Sequence, residues 1–549
     1  MKLFYTLFLV IIARMASGQG SGLTRPHDPV ALTGASLPAL AGAVPTSLVG
    51  FKFVGGTWQQ VPVQVDERAL LDIVKPYGAL TTGTPYAPSP ANLRVLFYTD
   101  AATFTGADPE AGFDADDELV FMASDAGGRA TSVPAPAGVV ASSGQEIIVT
   151  DPLGGVGYVY LFRNAGTLLQ GAGVNYVTYT SDLATTPGFP ANLSGTNAEN
   201  TTVATARYQW HFSSEWVSDE LRLLTGSGID ILDRYKNFFA NGNCIRHEDA
   251  FSASENAFVT VKAGPVRVIR SYMGAVSGPL TQRTHWFYAG RHDIATDLRV
   301  HNIPSVQDAF DYSPAATGMT YRNNLNLAGV PIDGSPDPVV LGNLAWEQVS
   351  GLPGTLSILH GRATTLMAAD ATFGSYYDDN RTTPASNCTG DGQAWGTSGV
   401  SVQFLNGTVC TDPIVGSGCG TTSAAYRTLR TTRTLYVDAP TAPASTAAAY
   451  QQQRDNPLQV AVGAFAVVSA VGQGAVRPNV SVYVQPGAGR VSVAVGQPGE
   501  LRIYNALGRA VLSAQLVAGT TELLLNERGL LLFVFHSGDQ RTVIRQVLD

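Results

Sequence analysis

The sequence predicts an all-β protein: several β-sandwich domains in tandem, with a large central antiparallel sandwich and a small C-terminal immunoglobulin-like sandwich. Three observations carry this. Only 14% of the residues are charged, while Gly (58) and Pro (31) are abundant, a balance that favours short strands and turns over helix bundles. Apolar residues recur at period two in runs of strand length. Turn residues separate those runs along most of the chain. A hydrophobic content of 45% over 549 residues supplies more than one core. The formal net charge of −9 gives no reason to expect a nucleic-acid or anionic-membrane partner. Arginine carries the positive charge, because the lysines are only Lys2, Lys52, Lys75, Lys236 and Lys262.

The chain opens on "MKLFYTLFLVIIARMASGQG". Lys2 is a short basic start, Leu3 to Ala13 is apolar, and Ala16-Ser17-Gly18 supplies small residues for cleavage. Residues 1–18 are therefore expected to be a secretory signal, with the mature chain starting near Gln19. No later run is apolar and long enough to predict a transmembrane helix. The four cysteines, Cys244, Cys388, Cys410 and Cys419, form an even set expected to make disulfides in an exported chain. Cys410 and Cys419 flank one loop and are the nearer pair, but sequence leaves all pairings open.

Residues 19–170 read as an N-terminal sandwich. In "FKFVGGTWQQVPVQV", two strands surround Gly55-Gly56, and Val61, Val63 and Val65 share a face. "NLRVLFYTD", "ELVFMASD", "GQEIIVTDP" and "VGYVYLFRNAG" are further strands. Residues 171–475 read as a larger β-rich domain. There "AFVTVK", "GPVRVIRSYMG", "TQRTHWFYAG" and "HDIATDLRVHNI" predict consecutive antiparallel strands on a wide sheet. "APTAPASTAAAYQQQRDN" predicts a linker followed by a short helix, and "PLQVAVGAFAVVSAV" predicts strands that close the central domain.

Residues 476–549 alternate short strands and turns, with "NALG" at Asn505–Gly508 a tight turn. The spacing of "RIYNALGRAV", the later glycines and "GLLLFVF" resembles the C-terminal type A sorting domain of the type IX secretion system of Bacteroidetes-type bacteria. "VQPG" stands where that family usually opens on a Pro-Asn-Pro-like turn, and Leu530-Leu531-Leu532 replaces its usual Tyr strand. The resemblance implies an exported cargo: a partner in the secretion machinery, passage through the periplasm and outer membrane, and a final place in the medium or on the cell surface.

"DPEAGFDADDELVFMASD" clusters carboxylates, and Asp114, Asp116, Asp117 and Glu118 are candidate ligands for Ca2+, a hard cation that needs clustered oxygens. This stretch, with "VPVQVDE", weakly resembles secreted proteins grouped with polysaccharide-lyase-like families. In the meander, period two places Arg283 and His285 on one face, and Arg299 and His301 together on the next strand. His211 and Trp210 in "YQWHFSSEW", and His247 in "CIRHED", lie in neighbouring segments. An Arg can clamp a carboxylate and acidify the adjoining C–H, and a His can remove the proton. Trp210, Tyr288, Arg299, His301, Tyr321 and Trp395 are candidate contacts to sugar. The alternation of "TQRTHWFYAGRHDIATDLRVHNI" is similar to wide sheets in mutarotase-like sandwiches of carbohydrate-active enzymes.

Glu215, Glu248, Glu347 and Asp378 are the carboxylates a glycoside hydrolase would draw on. Nucleophile-elbow, zinc-protease and nucleotide-binding motifs are absent. The expected function is therefore binding or degradation of extracellular polysaccharide by an exported protein. If it is catalytic, a lyase is expected, with His285 or His211 as base, Arg283 as clamp and His247 nearby. The alternative is a non-catalytic adhesin, glycan-binding protein or structural surface protein.

Overall fold

The computed structural model describes residues 20–72, 94–103, 105–182, 199–239, 246–250, 256–274, 281–298, 304–382, 392–405, 429–465, 480–485, 490–527, 529–538 and 540–548. The expected signal segment, Arg299, His301 and all four cysteines lie outside the described residues. The chain is nearly all β, as expected, and forms two compact units, Met1–Val468 and Ser469–Asp549. Among the described residues no helix is long and apolar enough to cross a membrane.

The large unit is organised around a nine-stranded antiparallel sheet. In spatial order its strands are Asn256–Ala263, Val268–Gly274, Thr281–Phe287, Arg291–Leu298, Leu429–Asp438, Gly354–Thr364, Trp346–Gly351, Thr320–Asn323 and Asn326–Pro331. The first four are the meander read from sequence. One face is covered by a four-stranded sheet (Val177–Thr180, Thr201–Thr205, Tyr208–Phe212, Ser218–Leu223) and a five-stranded sheet. In spatial order the latter is Arg246–His247, Leu232–Phe239, Ser305–Tyr312, Ala394–Phe404 and Ala371–Asn380. Trp210, Phe212, Tyr235, Phe287, Phe310 and Leu435 meet in the core between them. The strand Tyr208–Phe212 shows how pattern makes structure. Tyr208, Trp210 and Phe212 point inward while Gln209 and His211 point out, as period two requires.

On the opposite face lies the helix Ala444–Asp455, whose Tyr450 stacks on Tyr436 at 3.9 Å between centroids. The N-terminal strands also meet the central region there. Arg267, buried, binds Asp66 through Nε (2.8 Å) and Glu118 through Nη2 (2.7 Å). Gln64 Oε1 accepts the backbone N–H groups of Val266 and Arg267.

One expectation fails in an instructive way. The strand Gln459–Ala464 does not close the central domain. It pairs with Val139–Thr150 at the edge of the N-terminal sheet that continues through Val156–Asn164, Leu48–Val54 and Thr57–Val61. Local pattern identifies a strand, but its partner is chosen by which edge lies free.

The small unit is a sandwich of a three-stranded sheet (Val480–Gln485, Arg490–Val495, Gly519–Leu524) and a four-stranded one (Ala510–Leu516, Gly499–Asn505, Gly529–Ser537, Gln540–Leu548). Val491, Val493, Leu501, Ile503, Leu531, Phe533 and Phe535 fill it. Gly508 closes the Asn505 turn at φ +76°, a left-handed conformation that suits glycine, and Asn505 Oδ1 accepts from Leu507 and Arg509 N–H.

Candidate functional site

The residues singled out from sequence do not gather in one groove. Arg283 and His285 share an inward face, and that face is sealed. Arg283 is 1% exposed; it donates to Thr296 Oγ1 (2.9 Å), Asn237 Oδ1 (2.6 Å) and Asp308 Oδ1 (3.2 Å) and lies over Tyr235. His285 is fully buried, between His292 (2.9 Å) and the Tyr272 hydroxyl (2.7 Å). Burial, with His292 and Arg283 nearby, drives its pKa well below the usual range, so it is neutral. His211 faces away on its strand, bonded to Asp219 (2.6 Å) and Asn200 (3.0 Å). His247 sits on the edge strand of the five-stranded sheet, where Asp249 raises its pKa.

Trp210 and Tyr321 are core residues, and Trp210 Nε1 donates to Ser218 Oγ. Tyr288 is buried against Val120, Met122 and Val266, its hydroxyl accepting from Arg267. Trp395 is nearly buried beside Asp311, to which its backbone N–H donates.

The acidic turn does bring Asp114, Asp116 and Asp117 together, with carboxylate oxygens within 4.8 Å of one another. Those are the groups that could hold a cation. Burial, with Asp114 adding charge, lifts the pKa of both Asp116 and Asp117 to about 6. Glu118 leaves this set. Its carboxylate binds Arg68 (2.6 Å), Arg267 (2.7 Å) and the Tyr98 hydroxyl (2.8 Å).

A different place has the geometry of a site. At the margin of the central sandwich, the nine-stranded and five-stranded sheets part around a cavity of about 200 Å³. The strand Gly354–Thr364 brings His360 and Arg362, and Leu429–Asp438 brings Arg433, paired across from His360. Phe373 and Ser401 come from the facing sheet, and Asn343 from a loop. The Arg362 guanidinium lies 3.6 Å from the Phe373 ring centroid, a cation over an aromatic face.

Behind the wall is a polar relay. His360 Nε2 meets Glu347 Oε1 at 3.1 Å, and Glu347 Oε2 accepts from Tyr321 (3.2 Å), which accepts from Asn323 (3.1 Å). Burial pushes the Glu347 pKa up, but His360 and Arg433 outweigh it and hold it below the ordinary value. A carboxylate there makes Nε2 the donor to Glu347. His360 Nδ1 has no partner, and neither do Nε and Nη1 of Arg433, whose Nη2 is tied to the Asp308 backbone carbonyl.

No carboxylate lines the cavity, so its charge is positive. Its arginines suit one anionic group, with the imidazole of His360 in the same lining. A larger cleft of about 360 Å³ also contains arginines, but Arg25 is taken by Asp151, and Arg291 by Asp28 and Asp293.

Sequence reading missed His360 and Arg433. The signal was present: each interrupts an apolar alternation (Ile358-x-His360, Arg433-x-Leu435) at an inward position.

No family model and no curated protein matches the chain. Among solved structures, it is similar to an alpha-mannosidase from Enterococcus faecalis V583 at 9% identity and TM-score 0.34, covering 92% of this chain and 55% of that one. A glycosyl hydrolase family 38 protein from Enterococcus faecalis gives 11% identity and TM-score 0.35, covering 92% of this chain and 57% of that one. The chain thus spans little more than half the length of either. A putative aldose 1-epimerase from Escherichia coli K12 gives 10% identity and TM-score 0.21, covering 48% of this chain and 99% of that one.

Proposed function

We propose that this is an exported protein that binds an acidic sugar in the cleft between the central sheets, with the small C-terminal unit as its export address. The carrying observation is the coincidence, in the lining of one cavity, of Arg362, Arg433 and His360 with no carboxylate among them, while Nε and Nη1 of Arg433 and Nδ1 of His360 are buried without a hydrogen-bond partner. Buried donors left open cost about 1–3 kcal/mol each, so a ligand that fills them is strongly favoured. A uronate carboxylate matches the positive charge of Arg433, and Arg362 on Phe373 offers a charged, flat-backed wall for the ring.

The same pair fits β-elimination. Arg433 would neutralise the carboxylate, His360 Nδ1 would take the adjoining C–H proton, and the C–O bond one carbon further would break, its oxygen taking a proton from solvent. This keeps the clamp-and-base chemistry expected from sequence but assigns it to Arg433 and His360 in place of Arg283 and His285.

The test is titration of the full chain with uronate oligosaccharides and with their neutral counterparts, alongside absorbance of the new double bond. Binding is expected for the acidic set only. Arg362→Ala and Phe373→Ala should each weaken it roughly fivefold to tenfold, about 1–1.4 kcal/mol. His360→Gln should leave binding intact and lower any elimination rate about 10²-fold or more. Equal binding of neutral sugars, or none of either, would sink the proposal. Export is tested separately: residues 469–549 fused to a reporter should carry it across the outer membrane of a type IX-competent bacterium.

A further inference from the structure

Among the described residues, Lys236 is the exception in the buried pairs of Lys or Arg with a carboxylate. Arg270–Glu199, Arg283–Asp308, Arg25–Asp151 and Arg267–Asp66 all use guanidinium groups. Lys236 alone among the described lysines is buried with a carboxylate, that of Asp311, and both side chains have no exposed surface. Lys236 lies on the strand Leu232–Phe239 and Asp311 on its neighbour Ser305–Tyr312. In the register Lys236 faces Ala309 and Arg234 faces Asp311, so the pair sits on the diagonal, within reach of a lysine stem.

The two oxygens of Asp311 are treated differently. Oδ1 accepts the Thr397 hydroxyl and the Trp395 backbone N–H (3.0 Å). Oδ2 meets the Lys236 nitrogen. Nζ itself has a single other acceptor, the Gln393 carbonyl at 3.3 Å. As an ion pair this is poorly served: an ammonium offers three donors, and desolvating both charges costs several kcal/mol per ion. Burial also raises the Asp311 pKa, although Lys236 opposes it, so the neutral acid is within reach.

We propose that Lys236 and Asp311 condense to an intramolecular isopeptide bond. One proton passes from Nζ to Oδ2, giving amine and carboxylic acid. Nζ attacks Cγ, and the developing oxyanion on Oδ1 is held by Thr397 and Trp395 N–H. Nζ loses a second proton to Oδ2, the Cγ–Oδ2 bond breaks, and one water leaves. No oxidant or cofactor enters the balance. The product is a neutral amide that replaces two buried charges and staples adjacent strands. Guanidinium pairs elsewhere in the core cannot follow this course, since Arg is not deprotonated in proteins.

The experiment is intact-mass measurement and peptide mapping of the purified full chain after denaturation and reduction. The expected mass is one water below that of the sequence. The map should contain a branched peptide joining the segments around Lys236 and Asp311, with trypsin unable to cut after Lys236. Asp311→Asn retains the chemistry with ammonia as leaving group and should give the same branched peptide. Asp311→Ala and Lys236→Ala should restore full mass and lose the branch. A wild-type map in which trypsin cuts after Lys236 and both peptides are linear overturns the proposal, whatever the variants do.

Discussion

His285 and His292 exchange a ring hydrogen bond at 2.9 Å with both side chains inside the core, and two imidazolium ions at that distance would repel. Burial drives both well below the usual histidine range, and His27, half-buried beside Arg207, falls to about 4. The unfolded chain binds protons near pH 6.5 while the folded chain refuses them. Stability is therefore present above about pH 6.5 and declines as pH falls below it, by up to about 1.4 kcal/mol per pH unit for each histidine. Urea midpoints of the large unit measured between pH 7.5 and 5 should show this fall, and His27→Phe should make it shallower by the share of one histidine; a flat profile in the wild-type protein would contradict the assignment. At the same scale, Glu347→Leu strips acceptors from both His360 and Tyr321, and should lower stability by about 3–5 kcal/mol, because His360 and Tyr321 lose a buried carboxylate partner.

The strand Ala394–Phe404 shows how an element sets the cleft. A Cβ on its Gly399 would lie 2.1 Å from the Asp308 carbonyl and 2.7 Å from Arg433 Nη2. The glycine lets the neighbouring strand approach and lets the guanidinium reach that carbonyl. Gly399→Ala should push Arg433 out of place, cost about 1–3 kcal/mol and weaken acidic-sugar binding more than Arg362→Ala does; unchanged binding at normal stability would show that Arg433 is not used. Elements are also where sequence reading succeeded and stopped. Period two placed Arg283 and His285 on one face of Thr281–Phe287, as found. Whether that face meets water depends on Tyr235 and Asp308, on strands that pair elsewhere, and no local pattern reports it. His360 and Arg433 were passed over for the same reason. A polar residue in an apolar strand reads alike whether it is paired off or lines a cavity.

At the scale of the whole molecule, each unit has its own hydrophobic cluster. Calorimetry should resolve two transitions, and Phe533→Ala should lower only that of the small unit, by about 3–5 kcal/mol. A single transition displaced as one would deny that the units are independent. The long reach of the chain within the large unit has another side. Val139–Thr150 finds its outer neighbour in Gln459–Ala464, roughly three hundred residues later. Synthesis delivers the polypeptide in order from its N-terminus, so the first sheet waits with a bare edge until nearly all the rest of the large unit has been made. The timetable of folding is thereby tied to synthesis: the N-terminal sheet stays unfinished while most of the chain is made, and locks only when its late strand arrives.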